Sequence, residues 1–431
     1  MVYILYDVFL ALSGLILIPY FCWRGFRRGR VRKGIRERFG FYPAAQLAII
    51  RGRQTIWIHA VSVGETRAAI PLVKALRQEY PDACLLVTTV TETGQEVARK
   101  IKEADLCLYF PFDLSWIVRR ALAILKPAAI IIVETEIWPN LVRLASDADI
   151  PLLLVNGRLS DRSFPRYKAA KFFIQGILAK FSAFCMQTGL DGQRVLRIGA
   201  PRDRVTVTGN LKFDSKIVEF SREEIEQIRL DLKVPVGAPV LVAGSTHEGE
   251  EEDLIRIYIR LLEEWSDLIF ILVPRHPGRC GSVGEKIASY GLPHIRRTGI
   301  GSRKKELRGG EILLVDTMGE MLKVYALADI VFVGGSLVPI GGHNILEGSM
   351  LKKPVVFGPF MNNFKEISNL LQKAEGGICV EDREELFHCL DRLLREPEHR
   401  KTIGQNGFSL LEKNKGATEK TLDIVKTFLR P

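Results

Sequence analysis

Four stretches stand out because each follows or closes an apolar run with groups that can move protons or hold charge. In His59-Ala-Val-Ser-Val-Gly-Glu65 a carboxylate leaves a strand-like stretch and opens a helical one, where it can take a proton from a hydroxyl. Ser62-x-x-Glu65 is equally the spelling of a capping box, in which Glu65 only satisfies an amide of its own helix. Spacing alone keeps both readings open. Val133-Glu134-Thr135-Glu136-Ile137-Trp138-Pro139-Asn140 follows an unbroken apolar strand, so Glu134 and Glu136 emerge at its carboxyl end. Acids there either stabilise developing positive charge or favour the start of the next helix. Arg158 and Arg162, in Asn156-Gly157-Arg158-Leu159-Ser160-Asp161-Arg162, suit either forked bonds to phosphate or carboxylate or ordinary surface pairing. Lys212, in Gly209-Asn210-Leu211-Lys212-Phe213-Asp214, is placed to reach an anionic ligand or simply to be solvated.

The second half carries a different chemistry. Val273-Pro274-Arg275-His276-Pro277 pins a basic pair between prolines just past an apolar strand, which suits a nucleotide. Asp316-Thr317-Met318-Gly319-Glu320 precedes a helix whose free amides can approach a phosphate, with capping by Asp316 or Thr317 as the rival reading. Gly334-Gly335-Ser336 and Gly341-Gly342-His343-Asn344-Ile345-Leu346-Glu347 are the most unusual stretch. Paired glycines let backbone amides crowd a phosphate, and Glu347 can accept from two ribose hydroxyls. Gly244-Ser245-Thr246-His247-Glu248 reads mainly as structure, with Ser245-x-x-Glu248 as a cap. Phosphate-loop, dinucleotide and zinc signatures are absent from the sequence.

The elements that must position these residues are short apolar strands alternating with amphipathic helices. Strands are expected at Thr55 to Ala60, Leu85 to Val90, Ala128 to Val133 and Leu152 to Val155, with helices at Glu65 to Glu79, Gln95 to Lys102 and Phe164 to Lys180. The rhythm restarts after Val205 to Asp214, with strands near Val240, Ile269, Ile312, Ile330 and Pro354. Such alternation predicts two parallel α/β sheets covered on both faces, and their ligands belong in loops after the strands. The expected division is a first α/β domain over 55–213 and a second over 214–431, closed by two helices within Pro397 to Leu429.

The chain has 431 residues, 47% of them hydrophobic, enough for two cores. Its seven scattered cysteines fit a reducing compartment. Of the net charge of +11, Arg24 to Arg38 holds +7, so the body is nearly balanced and nucleic acid is not the expected partner. Val2 to Trp23 carries one charge, Asp7, and the basic block follows it. That order predicts a retained membrane-anchor helix over 1–23 and a basic juxtamembrane segment over 24–54, with the folded body on the cytoplasmic side. A helix docked on the soluble domain, or lying in the membrane interface, is the alternative.

Two α/β domains with an acid in the first and a glycine-rich nucleotide site in the second resemble a two-domain (GT-B) glycosyltransferase. His-Ala-Val-Ser-Val-Gly-Glu, Glu-Thr-Glu-Ile-Trp-Pro-Asn, Gly-Asn-Leu-Lys-Phe-Asp, Ser-Thr-His-Glu-Gly-Glu-Glu, Val-Pro-Arg-His-Pro, Asp-Thr-Met-Gly-Glu and Gly-Gly-His-Asn-x-Leu-Glu, in this order, resemble the bacterial 3-deoxy-D-manno-octulosonic acid (Kdo) transferases of lipid A biosynthesis. The resemblance implies two Rossmann-like domains facing across a cleft and inverting transfer of Kdo from CMP-Kdo to lipid IVA at the inner membrane, without metal or cofactor. It also implies Glu65 as general base and Glu134 and Lys212 as transition-state stabilisers. CMP would be held by Pro274, Arg275, Met318, Gly319, Glu320, Asn344, Ile345, Leu346 and Glu347. A lipid-directed transferase using a UDP-hexosamine, and a membrane-tethered binding protein without turnover, are the competing readings.

Overall fold

A computed structural model of the chain describes residues 3–14, 34–214 and 218–429. The chain divides into two compact units, Met1–Lys216 with Asn414–Pro431, and Ile217–Lys413.

The first unit is built on β1 (Thr55–His59), β2 (Cys84–Thr89), β3 (Leu106–Tyr109), β4 (Pro127–Val133), β5 (Leu152–Gly157), β6 (Ala183–Met186) and β7 (Val205–Val207). They pair in parallel in the order β3-β2-β1-β4-β5-β6-β7. β1, β2, β4 and β5 are apolar along nearly their whole length because helices cover both faces of the sheet. The direction of winding reverses between β1 and β4, which leaves a crevice at the carboxyl ends of these neighbours.

The second unit repeats the design with β8 (Val240–Thr246), β9 (Ile269–Pro274), β10 (His294–Arg296), β11 (Ile312–Leu314), β12 (Ile330–Val333), β13 (Val355–Phe357) and β14 (Ile378–Cys379), in the order β10-β11-β9-β8-β12-β13-β14. Its reversal lies between β8 and β12. The α/β class and the two parallel sheets are as expected from the sequence.

Two expectations change. Residues 414–431 were assigned to the second domain, yet the helix Ala417–Lys426 packs on the first, where Ala417, Val425 and Leu429 join Leu153, Leu211 and the Val63–Glu79 helix in one buried cluster. The expected helix over Phe164 to Lys180 is two, Phe164–Ala169 and Lys171–Leu178, broken at Ala170. The membrane-anchor reading of 1–23 falls in part on residues 1–2 and 15–23, and the basic segment in part on 24–33, which lie outside the described residues. Among the described residues no helix is long and apolar enough to cross a membrane.

Residues 3–14 are helical, and the one charge there is committed to the protein. Asp7 Oδ1 accepts from Ser115 N at 3.0 Å and Asn140 Nδ2 at 2.7 Å, while Tyr6 donates to Asp113. The opposite stripe of Ile4, Leu5, Val8, Phe9 and Leu12 is exposed.

Candidate active site

In the first unit Glu65 and Glu134 follow the adjacent strands β1 and β4, and Asn156 lies at the carboxyl end of the next one, β5, so the sheet itself brings them together. Glu65 sits in the first turn of the helix Val63–Glu79 and is buried. Its Oε2 accepts from Val61 N at 2.7 Å and its Oε1 from Ser62 Oγ at 2.8 Å. Ser62, the N-cap residue, makes no side-chain bond to the helix amides, and Glu65 bonds Val61 N in place of Ser62 N, so neither half of a capping box forms. Burial first, then the Glu134 carboxylate, pushes the Glu65 carboxyl up to about 7, against the opposing pull of Ser62, Val61 and Lys212. A carboxyl group poised there exchanges protons near neutral pH.

Glu134 ends β4 in the left-handed region, φ 61°, unusual for a residue with a side chain. Its amide still bonds Val155 O at 2.8 Å, so the strand register holds while the side chain turns out of the sheet. Lys212 Nζ lies 3.6 Å from Glu134 Oε1, both side chains largely shielded. The lysine is placed by buried polar groups. Asn156 Oδ1 accepts from Leu211 N at 3.0 Å, Gln187 Nε2 donates to Asn156 O at 2.9 Å, Asn210 Nδ2 donates to Gln187 Oε1 at 3.0 Å, and Asn210 Oδ1 accepts from Lys212 N at 3.0 Å. Beyond the lysine, Asp214 accepts from Gly416 N at 2.8 Å and from Thr418 N, which fastens the stretch to the last helix.

Glu136, noted only as a neighbour in the sequence, is a third member of this group. Burial, then Glu65 and Glu134, raise its carboxyl to about 7. The turn that carries it ends in the helix Pro139–Asp147, whose first amides, Asn140 N and Leu141 N, are capped by Asp113 at 3.0 and 2.8 Å. His59, by contrast, is fully buried, stacked on Phe110 at 3.8 Å between ring centres, and held neutral by burial, its pKa lowered to about 3. It packs the crevice as an uncharged ring and does not take up a second proton near neutrality.

In the second unit the implied nucleotide residues follow β9, β11 and β12. Pro274 ends β9, and Arg275 N bonds Thr246 O at 3.0 Å. Met318 is exposed and Gly319 adopts φ 85°. Glu320 accepts from Arg297 and Thr317. Neither rival cap forms: Asp316 accepts from Thr298, and the helix Met321–Leu327 begins after Glu320. Asn344 Nδ2 donates to Glu347 Oε1 at 3.2 Å and Asn344 Oδ1 accepts from Leu346 N at 3.2 Å, so one side chain orients both the carboxylate and the helix start. Ile345 and Leu346 are buried, leaving their backbone as the part that can meet a ligand.

The Ser245-x-x-Glu248 cap is also absent. Ser245 lies within β8 at φ 58°, and the next helix, Glu251–Leu262, starts later. The structural carboxylate is Glu250, overlooked in the sequence. Fully buried, it accepts from His247 N at 2.8 Å, Gly335 N at 2.6 Å and Leu337 N at 3.4 Å, tying together the loops on either side of the β8–β12 reversal. A Cβ on Gly334 would stand 2.6 Å from Glu250 Oε1, which accounts for a glycine there. His247 Nε2 and His343 Nε2, 2.8 Å apart, add a second tie.

Comparison with known proteins bears on the family and the fold. The family model for 3-deoxy-D-manno-octulosonic-acid transferase (kdotransferase) matches residues 33–215. The 3-deoxy-D-manno-octulosonic acid transferase of Haemophilus influenzae is 35% identical over 93% of this chain and 92% of its own length. That of Bordetella pertussis is 32% identical over 97% and 98%. A crystal structure of a glycosyltransferase from Rickettsia africae superposes with a TM-score of 0.58 at 18% identity, covering 88% of this chain and 99% of that one, a likeness of fold.

Proposed function

We propose, since this chain belongs to the Kdo transferase family and is a glycosyltransferase, that it takes Kdo from CMP-Kdo and adds it, with inversion, to lipid IVA. The observation that carries the reading is the first-unit group in which a buried Glu65, poised near neutrality, sits within electrostatic reach of Glu134 and Lys212.

In this mechanism Glu65 removes the proton from the acceptor hydroxyl as it attacks the anomeric carbon, and the bond to the CMP phosphate breaks on the opposite face. Glu134 offsets positive charge on the oxocarbenium-like carbon. Lys212 restrains Glu134 and offsets negative charge on the sugar carboxylate or the departing phosphate. CMP is held by Pro274 and Arg275, by Met318 to Glu320, and by Asn344 to Glu347, with Glu250 fixing the loops that present the last group.

Attachment to the cytoplasmic face of the inner membrane completes the reading. It is supported by the exposed stripe of Ile4, Leu5, Val8, Phe9 and Leu12, followed in sequence by the basic block Arg24 to Arg38. An amphiphilic acceptor explains such a surface better than a soluble one does.

The deciding experiment is mass spectrometry of lipid IVA after incubation with the protein and CMP-Kdo. One or more Kdo increments are expected. An unchanged acceptor, with folded protein that binds CMP, would overturn the donor and acceptor assignment.

A further inference from the structure

A polar pocket of about 160 Å³ opens beside the catalytic group in the first unit, lined by Glu134, Thr135, Glu136, Arg158, Ser160, Ser163 and Tyr167. Its one cation is the informative member. The Arg158 main chain is clamped to the Glu134–Glu136 turn in both directions, Arg158 N donating to Thr135 Oγ1 at 3.0 Å and Thr135 Oγ1 donating to Arg158 O. The guanidinium is therefore held in a pocket that also contains two carboxyl groups. Yet among the described residues it forms no ion pair or hydrogen bond with either. Elsewhere in this unit arginines beside acids are paired, Arg53 and Arg77 with Asp105 and Arg194 with Asp161.

Of the remaining groups, Glu134 faces Lys212, its Oε1 3.6 Å from the lysine Nζ, and the others can donate hydrogen bonds. Glu136, raised to about 7 by burial and by Glu65 and Glu134, keeps its proton for much of the time at neutral pH. The Tyr167 phenol, raised by burial and then by Glu136, stays an O–H. A guanidinium fork with O–H donors beside it, and with the one ion-paired carboxylate turned to Lys212, matches a phosphate monoester on a sugar ring. It does not match an acyl chain.

We propose that this pocket is the acceptor's phosphosugar subsite, in which Arg158 binds a phosphate carried by the acceptor sugar while Glu136 and Tyr167 bind that ring's polar substituents. This rests on the reading of the chain as a transferase acting on phosphorylated lipid IVA. The Kdo carboxylate of the donor is the other anion that the fork could bind, so the test separates the two.

Arg158→Gln is assayed with lipid IVA and with the same lipid after enzymatic removal of one or the other phosphate, alongside CMP binding. The expected result is a KM for lipid IVA raised about tenfold or more, with CMP affinity and saturated kcat nearly unchanged. The penalty should vanish on the one dephosphorylated acceptor that lacks the bound group, as a double-mutant cycle requires. Arg158→Lys, which keeps the charge without the fork, should fall between wild type and Arg158→Gln, and serves if the glutamine variant fails to fold. An equal loss on all acceptors, no loss on any, or a raised KM for CMP-Kdo in place of the acceptor would overturn the subsite. Failure of the wild-type protein to modify lipid IVA at all would instead overturn the function on which it rests.

Discussion

Ser62-x-x-Glu65 and Ser221-x-x-Glu224 share one spelling, and each opens a helix. At Ser221 both halves of the capping box form, Glu224 N donating to Ser221 Oγ at 3.2 Å and Ser221 N to Glu224 Oε2 at 2.7 Å, on an exposed surface. At Ser62 the serine turns round and donates to Glu65, which reaches past the N-cap to Val61 N. The first pair exhausts its bonding on the helix and stays in water. The second buries a carboxyl group beside another acid, and its pKa rises in consequence. What separates a cap from a candidate base is therefore the surroundings of the pair, set by β4 and its Glu134, and not the pair itself.

Substitution of each glutamate is the most forceful way to break this comparison. Glu65→Gln keeps one oxygen to accept from Val61 N and offers an amide N–H that Ser62 Oγ can accept, but it loses the base, so kcat should fall by about 10² to 10⁴-fold while the thermal midpoint moves by no more than about 3 °C. Glu224→Gln should leave kcat unchanged. Normal turnover in folded Glu65→Gln would make the two motifs equivalent after all.

pH sharpens it next. Because Glu65 acts deprotonated, kcat/KM should drop about tenfold per unit as pH falls below about 7, and then level off above it. Stability should run the other way. Glu65 and Glu136 go from an ordinary 4.5 to about 7 on folding, so the folded state holds these protons more tightly. The contribution is fully present below about pH 4.5 and is lost as pH rises through about 7. Urea titrations across that window should show declining stability in the wild type and a flatter profile in Glu65→Gln.

The smallest effect belongs to the true cap. Ser221→Ala should cost about 1 kcal/mol of unfolding free energy, read from urea midpoints, with no change in the pH profile.

Much of the framework was legible. A strand covered on both faces is a continuous apolar run, so β4 and β12 appear plainly in Ala128 to Val133 and Ile330 to Val333. Edge strands of two or three residues, such as His294–Arg296 and Ile378–Cys379, have no such run and left no trace. The candidate site was legible in its residue types but not in their state. Glu65, Glu134 and Lys212 could be picked out, whereas the elevation of Glu65 and Glu136 depends on burial that no spacing encodes. Asn156, Gln187 and Asn210 are ordinary polar residues far apart in the chain. Only the position of Asn156 directly after an apolar strand hinted that it holds the lysine segment. Glu250 was hidden among four consecutive acids that read as a helix start, although its three amide partners make it the residue that joins two loops.

The return of the last helix to the first unit sets an order of events during synthesis. As the chain emerges from the ribosome, Ile217–Lys413 can close on itself before residues 414–429 are made, whereas the first unit still lacks Ala417, Val425 and Leu429 and the amides that Asp214 binds. The unit that begins first is completed after the second. Its Lys212 segment gains the Asp214 fastening only once Gly416 and Thr418 have been added, so a chain stopped near Lys413 holds a folded second unit and a first unit not yet able to act.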